Sequence, residues 1–187
     1  IGRGIAHVRY GTAGGSVAAN AQPLMVNMAG RTVGIAHNGT ICNAPTLRRE
    51  LQAEGALFQT TSDTELVLHL MARALLKRCH GHIWEALAES LHQLKGAFSL
   101  LLMTEDSMVA VRDPHGWRPL AIADYTDGGY MVASETIAFG VTGATCIREV
   151  EPGEMVIWTH NNRLECQRFA EVTRRAHCIF EHVYFAR

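Results

Sequence analysis

Ala97-Phe-Ser-Leu-Leu-Leu-Met103, Met108-Val-Ala-Val-Arg112, Leu120-Ala-Ile-Ala123 and Tyr130-Met-Val-Ala-Ser134 follow one another with charged or glycine-containing turns between them. Each run is short and apolar, with residues that fit a pleated surface, so each reads as a β-strand. Working outward from this block, the periodicity changes on the N-terminal side. Ile83, Ala86, Leu87, Leu91 and Leu94 form one apolar face of a helix over 83–94, whose expected partner is a sheet. Residues 66–76 form a second helix, preceded by Ser62-Asp-Thr-Glu65 at the spacing of a capping box, which puts Asp63 at a helix mouth. Asn43 and Pro45 mark the start of a shorter helix that reaches Glu54 and is closed by Gly55. Arg31-Thr-Val-Gly-Ile-Ala-His37 reads as a strand, and Asn38-Gly39 as the turn that ends it. On the C-terminal side, 154–159 and 163–169 flank His160-Asn-Asn162 as a late hairpin, and the aromatic stretch from Cys178 to Arg187 is expected to pack on another element. This order predicts an α+β layered domain with mainly antiparallel sheets rather than regular βαβ winding. It leaves the strand order open.

A chain of 187 residues fits one domain of ordinary size. Roughly 70% of its extended-chain surface can be buried at that size, so no disulfide or structural metal is needed to hold it. With 48% hydrophobic and 19% charged residues it lies far from disordered compositions. A net charge of -1 excludes a global field for nucleic acid, and the scattered arginines read as solvated surface. Five widely spaced cysteines, Cys42, Cys79, Cys146, Cys166 and Cys178, show no disulfide framework and fit a reducing cytoplasm. Neither a secretory peptide nor a membrane span is visible.

Three polar clusters carry candidate chemistry, and each has a plain alternative. In Ala6-His-Val-Arg-Tyr-Gly-Thr12, followed by Asn20-Ala-Gln-Pro23, Arg9 can grip a carboxylate bidentately with a hydroxyl nearby; the alternative is a structural ion pair. In His37-Asn38-Gly39, the Asn38 amide and the Gly39 N–H can converge on a developing oxyanion; the alternative is an ordinary turn. Asp63 can receive a ligand ammonium, giving with Arg9 a zwitterion clamp; the alternative is helix capping. A fourth group, Cys79-His80-Gly81-His82, offers three zinc-type ligands without a second pair to close the shell, and reads as a polar junction between helices.

Taken together, His7-Val-Arg-Tyr-Gly-Thr12, Asn20-Ala-Gln-Pro23, Gly34-Ile-Ala-His-Asn-Gly39, Ser62-Asp-Thr-Glu65, Leu94-Lys-Gly-Ala-Phe-Ser99, Arg112-Asp-Pro-His-Gly-Trp-Arg-Pro-Leu120, Ala133-Ser-Glu135 and Pro152-Gly-Glu154 resemble, in order, the glutaminase domain of the amidophosphoribosyltransferase family. These are class II, N-terminal-nucleophile glutamine amidotransferases. The segment Cys178 to Arg187 resembles the exit toward a phosphoribosyltransferase domain and favours this family over other class II amidotransferases. The resemblance implies a four-layer αββα sandwich. It implies that Asn38 and Gly39 stabilise the oxyanion and that Arg9 and Thr12 hold the α-carboxylate of L-glutamine. Asp63 would hold the α-ammonium, and His37 would be structural. It further implies that ammonia passes to phosphoribosyl pyrophosphate to give phosphoribosylamine, and that the full-length protein is a cytoplasmic homo-oligomer, with the homotetramer as the candidate form.

In that family an N-terminal cysteine is the nucleophile, whereas residue 1 here is Ile. The expectation is therefore a piece truncated at both ends: 1–177 a partial glutaminase domain lacking the first catalytic strand, 178–187 the junction, and no glutamine hydrolysis by the 187 residues alone. Gly11, Thr40 and Cys42 depart from the residues more usual in the pattern, and Cys42 is expected to be a small buried cysteine. By the resemblance, Mg2+ belongs to the absent domain, and Cys178 is a candidate iron-sulfur ligand completed by residues beyond this segment. The competing readings are the glutaminase of another class II amidotransferase and a non-catalytic glutamine-binding or assembly module.

Overall fold

A computed structural model describes residues 2–9, 15–79, 81–159, 163–172, 174–180 and 183. A 3₁₀ turn, Ala18–Asn20, leads to strands β1 (Leu24–Met28) and β2 (Arg31–Ile41), and then to helices α1 (Ala44–Ala53) and α2 (Thr64–Ala74). A π-helical turn, Leu75–Cys79, precedes α3 (Ile83–Leu91). Then follow β3 (Gly96–Met103), β4 (Met108–Arg112), β5 (Ala121–Asp124), β6 (Tyr130–Ala133), α4 (Ile137–Thr142), β7 (Thr145–Glu149), β8 (Glu154–Trp158) and β9 (Leu164–Arg168). Two antiparallel sheets result, β1-β2-β3-β4-β8-β9 and β6-β5-β7.

The alternation of side chains along the strands sorts them into layers. Val33, Ile35, Phe98, Leu100, Leu102, Val109, Val111, Met155 and Ile157 face α1, α2 and α3 in one core cluster. Their neighbours of opposite parity, Ala110, Val156 and Trp158, face Ile122 of the second sheet. On the far side of that sheet, Ala121 and Ala123 meet Phe139 of α4. Three apolar seams therefore separate four layers in the order α, β, β, α.

Several local expectations are corrected. Asn38-Gly39 is not a turn: β2 runs straight through it to Ile41, with Gly39 opposite Phe98. Gly39 has φ 144, and a Cβ there would overlap the Ala97 carbonyl oxygen, with the Ala97 carbonyl carbon at 2.8 Å and the Phe98 Cα at 2.9 Å. Gly96, with φ 138, is the reciprocal case, its missing Cβ directed at the Thr40 carbonyl oxygen. These glycines let two backbones approach within a strand, so the dipeptide that reads locally as a turn serves tertiary contact instead.

No capping box forms at Ser62. Glu65 turns back to accept the Gln59 and Thr60 amides at 2.8 and 2.7 Å, and Asp63 occupies the N-cap position without a side-chain cap bond. Asn43 likewise does not cap α1. Its amide bridges the Gln93 carbonyl and the Lys95 N–H, tying the start of α1 to the entry of β3. The elements β1, α4 and β7 carry no clear sequence signal, being short and exposed on alternate or most positions. The predicted hairpin of 154–159 and 163–169 is β8 and β9, while His160, Asn161 and Asn162 lie outside the described residues. In the tail, Ile179, Phe180 and Val183 are exposed rather than packed. Cys42 is exposed as well, because its position follows the β2 parity that faces away from the helices, beyond the cover of the second sheet.

The loop between β4 and β5 is organised by Asp113, which is fully buried. Its carboxylate accepts the Phe98, His115 and Trp117 amides at 3.3, 2.9 and 3.0 Å. Burial raises its pKa, and these amides offset only part of that effect. The segment after β9 is fastened to this loop and to the β7–β8 turn: Ala176 N–H donates to the His115 carbonyl at 2.9 Å, and Arg175 pairs with Glu151 at 2.7 Å.

Candidate functional site

The outer edge of β2 defines the site. Phe98 donates its N–H to the Asp113 carboxylate and accepts the Asp113 N–H at 2.9 Å, so both of its polar groups face away from β2. Opposed residues of an antiparallel pair either bond each other or both turn away. Gly39, opposite Phe98, therefore directs its N–H to the other edge of β2, as do His37 and Ile41 at the same parity. The intervening parity points inward: Cys42, continuing the strand, donates to the Lys95 carbonyl at 2.7 Å.

β1 covers that outer edge only as far as Ile35. Past it, the His37 N–H is received by Gln22 Oε1 at 2.6 Å, and the Ile41 N–H by Asp63 Oδ2 at 2.9 Å. The Gly39 N–H lies between these two filled amides, and no side chain among the described residues takes it. Beside it stands Asn38, whose Nδ2 makes a long 3.4 Å bond to Ser134 Oγ just past β6. Two donors of adjacent residues thus border one stretch of strand edge that no strand among the described residues covers.

Asp63 is brought to the same edge. Freed from capping, it bonds Ile41 through Oδ2 and places Oδ1 3.4 Å from His37 Nδ1. Burial opposes its charge, but the His37 hydrogen bond and positive field, together with the Ile41 amide, outweigh burial and hold its pKa below the usual value. A carboxylate offers about four lone-pair positions, so capacity for a ligand ammonium remains. His37 Nε2 is buried without a partner among the described residues, while Nδ1 also meets Thr64 Oγ1 at 3.3 Å. The ring therefore turns Nδ1 toward Asp63 and Thr64 and Nε2 into the fold. The ring thus orients the carboxylate from within the fold.

Arg9 ends an extended segment, residues 2–9, in which Arg3, Ile5, His7 and Arg9 are the half-buried alternate positions. Its guanidinium donates to the Gly15 carbonyl at 2.9 Å. His7, two residues before it, has a lowered pKa, through burial first and then the positive neighbours His37 and Arg9. Thr12 lies outside the described residues.

A family model described as "Glutamine amidotransferase domain" matches residues 7–140. The chain belongs to the glutamine amidotransferase domain family. It is 44% identical over 184 residues to an amidophosphoribosyltransferase of Bacillus subtilis, covering 98% of this chain and 37% of that protein. It is 41% identical over 182 residues to chloroplastic amidophosphoribosyltransferase 2 of Arabidopsis thaliana, covering 97% of this chain and 32% of that one. Among solved structures it resembles the B. subtilis glutamine phosphoribosylpyrophosphate amidotransferase complexed with ADP and GMP, with TM-score 0.86 and 41% identity over 97% of this chain and 38% of the other. An enzyme described as the allosteric regulatory enzyme of purine biosynthesis gives TM-score 0.87 at 43% identity, with the same coverages. The four-layer arrangement of this glutamine amidotransferase domain is thus that of the N-terminal-nucleophile glutaminase domain. The chain spans about a third of the length of these relatives.

The remaining expectations for the glutamine amidotransferase domain divide. Cys79 is buried at the end of the π turn and His82, whose side chain is 72% exposed, starts α3, so these residues do sit at a helix junction. His80 lies outside the described residues. Among the described residues no group of three or more His, Cys, Asp or Glu converges on one point. Cys178 is partly exposed and, against the four thiolates of an iron-sulfur cluster, offers one ligand. Sequence reasoning did not single out His7, Thr64, Ser134 or the buried Asp113. At the α2 mouth the Ser62-Asp-Thr-Glu65 spacing suggested a capping box, which does not form, and Asp63 was read as a candidate for a ligand ammonium.

Proposed function

We propose that these residues are the glutamine-binding and oxyanion-stabilising part of an amidophosphoribosyltransferase that takes ammonia from L-glutamine. The observation that carries the reading is the Gly39 N–H on an open strand edge next to Asn38, between two amides already filled by Gln22 and Asp63. In the reading, a cysteine thiolate outside these 187 residues adds to the glutamine side-chain amide carbon. The carbonyl oxygen gains the negative charge, and the Asn38 Nδ2–H and Gly39 N–H receive it. Collapse expels ammonia, which takes the proton that the thiol gave up to the α-amino group of the same cysteine, and forms a glutamyl thioester that water cleaves to glutamate and free thiol. Arg9, with Thr12, holds the α-carboxylate; Asp63 holds the α-ammonium. His37 keeps the Asp63 carboxylate oriented and exchanges no proton with substrate.

The transfer of ammonia to phosphoribosyl pyrophosphate, its Mg2+ requirement, a cytoplasmic location and a homo-oligomeric assembly are parts of the same proposal that concern the longer protein. On this reading, with the nucleophile supplied from outside these residues, the 187 residues are expected to bind glutamine without turning it over. Calorimetric titration with L-glutamine tests the binding half. Saturable binding lost in Asp63→Asn supports the reading, and no binding by the folded chain overturns it. Protein-dependent glutamate release would overturn the assignment of the nucleophile to a segment outside the chain.

A further inference from the structure

The motif Asn20-Ala-Gln-Pro23 has no role in the chemistry above, yet its two amide side chains reach the elements that hold the ligand. Gln22 accepts the His37 N–H and donates Nε2–H to Thr64 Oγ1 at 3.1 Å, joining β2 to the mouth of α2. Asn20, 0% exposed, works on the other pair of elements. Its Nδ2 donates to the Gly15 carbonyl at 3.2 Å and to Thr61 Oγ1 at 2.9 Å, while its Oδ1 accepts the Thr61 N–H at 3.1 Å. The Gly15 carbonyl is the same oxygen that receives the Arg9 guanidinium. Thr61 stands two residues before Asp63.

We propose that Asn20 is a positioning residue that sets the spacing between Arg9 and Asp63, the two charged ends of the clamp, by holding Gly15 and Thr61 on one amide group. The inference rests on the glutamine reading. Arg9 and Asp63 lie on separate loops 54 positions apart in sequence, so loop freedom would otherwise blur their separation. A ligand bearing both charges gains from both ends at once only if that separation is fixed beforehand. A buried Asn does this where a hydrophobic residue cannot, because it satisfies a carbonyl, a hydroxyl and an amide with three directed bonds.

The test compares three ligands on the 187-residue chain by calorimetry: L-glutamine, 4-carbamoylbutanoate, which lacks the ammonium, and 4-aminobutanamide, which lacks the carboxylate. With the wild-type chain, L-glutamine is expected to bind more tightly than either. In Asn20→Ala, affinity for L-glutamine is expected to fall about tenfold, roughly 1.4 kcal/mol, while the single-charge ligands change less than about twofold. Thr61→Val, which removes one hydroxyl and leaves the backbone amide, is expected to give a smaller loss of the same pattern and serves if Asn20→Ala does not fold. Equal losses for all three ligands in a folded variant, or undiminished preference for L-glutamine, overturn the positioning role while leaving the glutamine reading intact. A wild-type chain that does not prefer L-glutamine overturns both.

Discussion

Replacing Gly39 with Ala puts a methyl group where the Ala97 carbonyl stands. The overlap is with backbone on three sides, the Ala97 oxygen and carbon and the Phe98 Cα, so no side chain can swing aside to relieve it. Two costs add. A φ of 144 is a region that L residues occupy at about 1–3 kcal/mol, and forcing an extra methyl into a packed position costs about 1–3 kcal/mol. The sum, roughly 2–6 kcal/mol, is a large part of the 5–15 kcal/mol that holds an ordinary domain together. Urea unfolding followed by circular dichroism reads it directly: with a slope of about 2 kcal/mol/M the midpoint should fall by roughly 1–3 M. Gly34→Ala is the internal control. A Cβ there meets Ile5 Cδ1 at 3.4 Å and its φ is ordinary, so its midpoint should move little. If Gly39→Ala unfolds within about 0.5 kcal/mol of the parent, or no differently from Gly34→Ala, then β2 and β3 do not approach as described. The backbone argument for the orientation of the Gly39 N–H would fall with them.

Other perturbations probe separate parts of the molecule. Asp63, Glu65 and Glu154 all have folded pKa values below their ordinary ones. Their contribution to stability is therefore complete above about pH 4–5 and is lost as pH falls through the depressed folded values; thermal melting between pH 7 and pH 2 should show the fall, and Asp63→Asn should make it shallower. His7, with a depressed pKa, works in the same direction at higher pH, since the unfolded chain takes up a proton near 6.5 that the folded chain resists; His7→Gln should flatten melting temperature between pH 7 and 5. Arg112, 4% exposed, donates to the Arg118, Val150 and Gly116 carbonyls and to Glu149. Arg112→Met strands those acceptors and should cost about 3–5 kcal/mol in urea unfolding. Asn43→Ala breaks the bridge between α1 and β3 and should cost about 1–2 kcal/mol, whereas a simple helix-cap loss would leave the β3 entry unaffected in amide exchange.

The layered class and most strands were legible because each run from 97 to 134 is a short, continuous apolar segment bounded by turn residues, and Met108–Arg112 was placed to the residue. The failures share a cause: a local signal whose groups are claimed by distant partners. Asn38-Gly39 reads as a turn until Ala97 and Phe98 are beside it, and Ser62-Asp-Thr-Glu65 reads as a cap until Gln59, Thr60 and Ile41 compete for the carboxylates. Asn43 repeats the pattern with Gln93 and Lys95. The same competition hid the brace residues, because nothing within a few positions of Asn20 or Gln22 reveals Thr61 or His37. Conversely, Asn38, Gly39, Arg9 and Asp63 could be singled out because family resemblance supplied the tertiary information that local spacing lacks, while Thr12 lies outside the described residues.

The paired glycines of β2 and β3 limit how the domain can vary. The space in front of Gly39 is filled by the Ala97 carbonyl and that in front of Gly96 by the Thr40 carbonyl, and every amino acid has the same carbonyl. A substitution at either position therefore has no side-chain suppressor on the opposite strand, unlike an overpacked apolar core, where a neighbour can shrink. In a library that randomises both strands together, Gly39 and Gly96 should emerge fixed independently of each other and of everything around them. Positions such as Val33 or Leu100 should instead trade volume with their neighbours. The strand crossing beside the proposed oxyanion donor is thus a point of the fold that sequence change can go around but not through.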